Sequence, residues 1–71
     1  MVKSNILQAQ LKLKNLSTKD FADAQNWSMT TAYRKINGVT DFTATEIQTC
    51  VKLLDLDLET ANDIFFAEEM S

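Results

Sequence analysis

Histidine and proline are absent from this 71-residue chain, and cysteine, glycine, tryptophan and tyrosine occur once each. Without histidine, and with one thiol, the chain has no nucleophile and base pair of the usual kind and no clustered soft donors for a metal. No cofactor is expected and an enzyme is not expected. A single glycine, Gly38, rules out a glycine-rich loop that cradles phosphate. The lone Cys50 excludes an intramolecular disulfide. At an apolar-periodic position of a helix, it reads as a buried small hydrophobe. No run is long and apolar enough for a signal peptide or membrane span, so no membrane partner is expected, and the expected compartment is the cytoplasm. Asp55, Asp57 and Glu59 alternate, but a cation loop needs more converging oxygens, so they read as a solvated helix start.

With 45% hydrophobic residues and few chain breakers, the sequence has neither a linker nor the polarity of a disordered segment. At this length there is room for one core, and an all-α domain spanning residues 1–71 is the expectation.

Caps and periodicity divide the chain into five helices. Ser4 is expected to cap the first, which runs to about Lys14 with Leu7 and Leu11 inward and Leu16 closing the corner. Ser17 and Asp20 form a capping-box-like start for a second helix, Thr18 to Gln25. Asn26, which tolerates a left-handed conformation, ends it. Trp27 covers the turn, and Ser28 caps a third helix from Met29 to Ile36 that stops at Asn37-Gly38. Thr43 and Glu46 form a second capping box, before Ile47, Cys50, Val51 and Leu54. Asp57 starts the fifth helix, with Leu56 and Ala61 at staple positions and Leu58, Ile64 and Phe65 on its apolar side. Residues 67–71 are expected to fray.

The stretch Leu16 to Gly38, LSTKDFADAQNWSMTTAYRKING, resembles the Cro/repressor (XRE-type) helix-turn-helix of small phage and bacterial regulators. The match is ungapped over the motif, about residues 17–37. Ala22 falls where the family wants a small residue, Asn26 at its turn glycine, Trp27 at its turn hydrophobe and Ser28 at its second cap. FTATEIQTCVKLLDLDLETANDIFF is similar to the family's fourth and fifth helices. Gln25 and Ala32 depart from it where larger aliphatics are usual, and Leu11 sits where the first helix often carries a phosphate-binding arginine.

The resemblance implies a compact five-helix, repressor-like domain whose third helix makes the functional contact. Ser28, Met29, Thr30, Thr31, Tyr33, Arg34 and Asn37 are the candidates for contact with a partner or with DNA. Arg34 could fork onto a guanine, Thr30 could bond a base or phosphate, and Met29 could press on a thymine methyl. Met29 and Tyr33 stand four residues apart, as amphipathic anchors of a protein interface also do.

Charge separates the two targets. Residues 1–36 carry Lys3, Lys12, Lys14, Lys19, Arg34 and Lys35 against Asp20 and Asp23, a balance of +4, while residues 37–71 carry Lys52 against eight acids, a balance of −7. An isoelectric point near 4.6 is far below that of a typical DNA footprint. An acidic protein of this shape has the basic, DNA-reading face of another regulator as a natural target.

The expectation is therefore an antirepressor of a phage-type lysogeny/lysis switch in a bacterial host cell. Its partner would be the N-terminal DNA-binding domain of a phage-type repressor, captured through the third helix and the adjoining loop, Gly38 to Phe42. Asp41 and Glu46 are secondary interface candidates, equally readable as plain surface charges. The alternative is a Cro-like repressor that binds operator DNA directly. Ile6, Ala9 and Leu13 repeat on a second side of the first helix, where a weak homodimer is an alternative to cover by the chain's own C-terminus.

Overall fold

Five α-helices and the turns between them account for the chain in a computed structural model that describes residues 2–66. They are α1 (Ser4–Leu13), α2 (Thr18–Gln25), α3 (Met29–Ile36), α4 (Ala44–Leu54) and α5 (Leu58–Phe65). The expected fraying of residues 67–71 lies outside the described residues.

Local chemistry explains most of the boundaries. Ser17 Oγ accepts from the Asp20 N–H at 3.0 Å while Asp20 Oδ2 accepts from the Ser17 N–H at 3.0 Å, a reciprocal box that satisfies two otherwise orphaned donors. Thr43 and Glu46 repeat the arrangement ahead of α4. Asn26 ends α2 at φ 61°, the left-handed conformation its short amide side chain tolerates. Ser28 then caps α3 by accepting from the Thr31 N–H at 3.2 Å.

One expected cap is displaced. Lys3, rather than Ser4, occupies the cap position of α1 and makes no side-chain cap bond. Ser4 is the first helical residue, and its hydroxyl accepts from Gln8 Nε2 at 2.8 Å. The Lys3 N–H donates to the Ile64 carbonyl at 2.7 Å, so the chain's start is tied to α5.

The core brings together Leu7 and Leu11 of α1, Phe21 of α2, Ile36 of α3, Cys50 and Leu54 of α4, and Ile64 and Phe65 of α5. Phe21 is fully buried, and burying a phenylalanine contributes about 2–3 kcal/mol relative to leaving it in water. Its ring meets Trp27 edge-on at 5.6 Å between centroids. Trp27 meets Phe42 at 5.4 Å, and Phe42 meets Phe65 at 5.0 Å. This aromatic chain joins α2, the loops after α2 and α3, and α5. Small residues permit the close approach: Ala22 of α2 and Ala32 of α3 are both buried.

Leu58 is a correction to the sequence reading. Placed on the apolar side of α5, it is 77% exposed, because Ala61, Ile64 and Phe65 take the inward face of that helix. The second stripe of α1 divides: Ile6 packs half-buried against the core, whereas Ala9 and Leu13 are exposed. No described helix is long and apolar enough to cross a membrane.

Candidate macromolecular interface

Helix α3 is two-sided. Ala32, Lys35 and Ile36 are buried, so the positions between them face outward. Met29, Thr30, Tyr33, Arg34 and Asn37 are all exposed and recur at the three- and four-residue spacing of one helical face. Met29 is 39% exposed and Tyr33 52% exposed, which leaves two large, partly apolar side chains in water. Ser28 is exposed at the helix start. Thr31 is half-buried and belongs to the cap, its Oγ1 accepting from the Ser28 hydroxyl at 3.1 Å. Asn37 Oδ1 accepts from Gln8 Nε2 at 3.4 Å, a long bond that ties the end of α3 to α1.

The loop after α3 is folded back onto it. Gly38, at φ 80°, lets the chain reverse, and the N–H groups of Val39 and Thr40 both donate to the Arg34 carbonyl, at 2.9 and 3.2 Å. Val39 is thereby held near the end of α3 with 75% of its surface exposed. Sequence reasoning did not single out Val39; an apolar residue directly after an Asn-Gly turn was the available signal.

The rear of α3 is fastened by a residue that the sequence offered only as one more positive charge. Lys35 is 8% exposed. Its ammonium donates to Glu46 Oε1 at 2.9 Å and to the Asp41 carbonyl at 2.7 Å, and lies 5.7 Å from the centroid of the Trp27 ring. Glu46 also accepts from the Trp27 indole N–H at 3.0 Å and the Thr43 N–H at 2.8 Å. Its main-chain carbonyl accepts from Gln25 Nε2 at 2.9 Å, so Gln25 fastens the end of α2 to α4.

These bonds settle where the carboxylate points. Burial pulls the Glu46 pKa up, but the bonds from Thr43, Lys35 and Trp27 outweigh it and hold it below the ordinary glutamate value. Glu46, expected as a secondary interface charge, is thus engaged inward on its own fold. Asp41 keeps an exposed side chain while its main chain anchors Lys35.

The result is an outward face of mixed chemistry with a fastened back. Its front carries Met29, Tyr33 and Val39 as apolar elements and Thr30, Arg34, Asn37 and Asp41 as polar ones. Such a mixture suits a macromolecule better than a small reactant. Among the described residues, no group of three or more His, Cys, Asp or Glu converges as a metal site would require. No protein-family model, curated protein or solved structure matches this chain.

Proposed function

We propose that this chain is a transcriptional regulator of a phage-type switch, an antirepressor that binds the DNA-binding domain of a partner repressor through α3 and the loop behind it. In this reading α2 and α3 are a helix-turn-helix whose outward helix meets protein rather than DNA. The observation that carries it is the exposure of Met29, Tyr33 and Val39 together around Arg34. Aromatic and arginine side chains clustered with aliphatic neighbours are the usual anchors of a protein interface, where a few residues hold most of the binding energy. Capture would cover the groove-reading residues of the repressor, and the −3 net charge of the chain would speed its encounter with that basic surface.

Direct operator binding is the second reading, favoured by one feature: Thr30 and Arg34 stand four residues apart on the exposed face of α3, in the basic half of the chain. The N-terminal part of such a helix enters the major groove in proteins that read DNA this way.

The test is fluorescence anisotropy of a labelled operator already bound by its phage-type repressor, titrated with this protein near physiological salt. A fall to the free-DNA value, with no binding when this protein meets the operator alone, is the expected result. Binding to the operator alone would establish the second reading instead.

A further inference from the structure

Two apolar features that the core leaves uncovered have opposite electrical surroundings. The first is a ridge on α5. Leu58 is 77% exposed and Phe66 61% exposed, and with Asn62 between them they repeat every four residues along one face. Glu59 and Asp63 form the adjoining exposed stripe, and Asp55 and Asp57 stand exposed just before Leu58. The second feature is a groove of about 630 Å³ between α1, the start of α2 and the end of α3. Ala9, Leu11, Leu16 and Ile36 give it the apolar part of its lining, and polar side chains, Lys12 and Tyr33 among them, line about as much of it. Leu13, 73% exposed, continues the Ala9 stripe by one turn, and Lys14 is exposed beside it.

We propose that these two faces fit each other between copies of this chain: the Leu58–Phe66 ridge of one copy seats in the α1–α3 groove of the next, with its carboxylates against Lys12 and Lys14. Charge selects this pairing over the symmetric ones. Ridge against ridge would set Glu59 and Asp63 beside their own equivalents, and groove against groove would do the same for Lys12; like charges so placed oppose association. Ridge against groove joins a convex apolar face to a concave one and acid to base.

A head-to-tail contact of this kind is not satisfied at two copies, so each added copy leaves a ridge at one end and a groove at the other until a ring closes. Faces this small belong at the low end of interface sizes, below roughly 1,200 Å², and the association is weak. Its rim of charges makes it sensitive to salt. Tyr33 and Asn37 line the groove and also belong to the proposed capture face. Self-association and repressor capture would then exclude each other, a consequence that rests on the antirepressor reading, as self-association itself does not.

The test is sedimentation equilibrium of the full chain at low salt, from about 10 µM to about 1 mM, where contacts of this size become populated. The weight-average mass is expected to rise from 8.0 kDa past the dimer value without a plateau at two copies, and to fall back on adding salt. Two double variants assign the faces, both at exposed positions and both checked for unchanged helical circular dichroism: Leu58→Glu with Phe66→Glu, and Lys12→Glu with Leu13→Glu. Each alone is expected to stay monomeric. Mixed in equal amounts, they retain one good groove and one good ridge between them and form a pair that stops at two copies. A wild-type chain monomeric throughout would overturn the proposal, and so would association that the mixture fails to restore. No repressor is present, so failure here leaves the capture reading to its own test.

Discussion

Lys35 and Glu46 are joined across 2.9 Å with 11% and 21% of their side chains exposed, and this pair ties α3 to the start of α4. Each partner is also bonded elsewhere, Lys35 to the Asp41 carbonyl and Glu46 to Trp27 and Thr43. Removing one partner therefore strands the other. Glu46→Ala is expected to cost about 2–4 kcal/mol in urea unfolding, somewhat below the roughly 3–5 kcal/mol for a fully buried pair because Glu46 keeps 21% of its side chain exposed. Lys35→Met should cost less, because the methionine stem fills the same space over Trp27. Equal costs near zero for both would show that the network holds nothing together.

Acid should expose the same carboxylate. The folded Glu46 titrates below its ordinary value of 4.5, so the unfolded chain takes up the proton first as pH falls. Its contribution is complete above about pH 5.5 and is lost as pH drops through the unfolded and then the folded value. Asp20, bonded by Ser17, and Asp57, bonded by Thr60, are lowered too and fade in the same direction. Glu46→Gln is thus expected to be less stable than wild type at pH 7, with the difference shrinking towards pH 3. A gap independent of pH would contradict this.

Features set by near neighbours were legible in the sequence, and features set across the fold were not. The bounds of α2 and α3 follow from Ser17, Asn26 and Ser28, each of which acts within a few residues of itself. The Lys35–Glu46 bond spans eleven positions and a loop, and a lysine is ordinarily solvated, so nothing local marked it as buried. Leu58 fits an apolar period, but its turn of α5 lies at an uncovered edge. In the candidate interface, the outward positions of α3 were readable from helical spacing. Val39 was not, because its place depends on the loop folding back to Arg34.

Asp55 offers a simple stabilisation. It ends α4 at φ 50°, ψ 49°, a left-handed conformation that costs a residue with a side chain roughly 1 kcal/mol and costs glycine almost nothing. Asp55→Gly is expected to raise stability by a few tenths to about 1 kcal/mol, partly offset by the greater freedom of glycine in the unfolded chain. Asp55→Val should lower it, since a branched Cβ is worst suited to that backbone. Thermal melts of the two variants on opposite sides of wild type are the expected outcome.

Cys50 should be silent until the protein opens. It is fully buried, and burial pushes its pKa up to about 12, so at pH 8 the native thiol is neither accessible nor ionised. An aromatic disulfide reagent is expected to react only at the rate of the opening motion that exposes α4, and at once in denaturant. Rapid native labelling would place Cys50 outside the core.

The outward face of α3 makes the sharpest functional prediction, because its side chains lie outside the buried core. Met29→Ala, Tyr33→Ala and Val39→Ala remove side chains that are already 39%, 52% and 75% exposed, so Val39→Ala should melt within about 2 °C of wild type and the other two within roughly 8 °C. Under the antirepressor reading, Tyr33→Ala is expected to weaken repressor binding by about 2 kcal/mol or more, roughly thirtyfold, with smaller losses for Met29 and Val39, as measured by calorimetric titration. Arg34→Ala separates the two readings. As a protein anchor its loss lowers affinity for the repressor, whereas as a base contact it lowers affinity for operator DNA and relaxes specificity at the contacted base pair. Full retention of repressor binding by Tyr33→Ala would remove α3 from the capture surface.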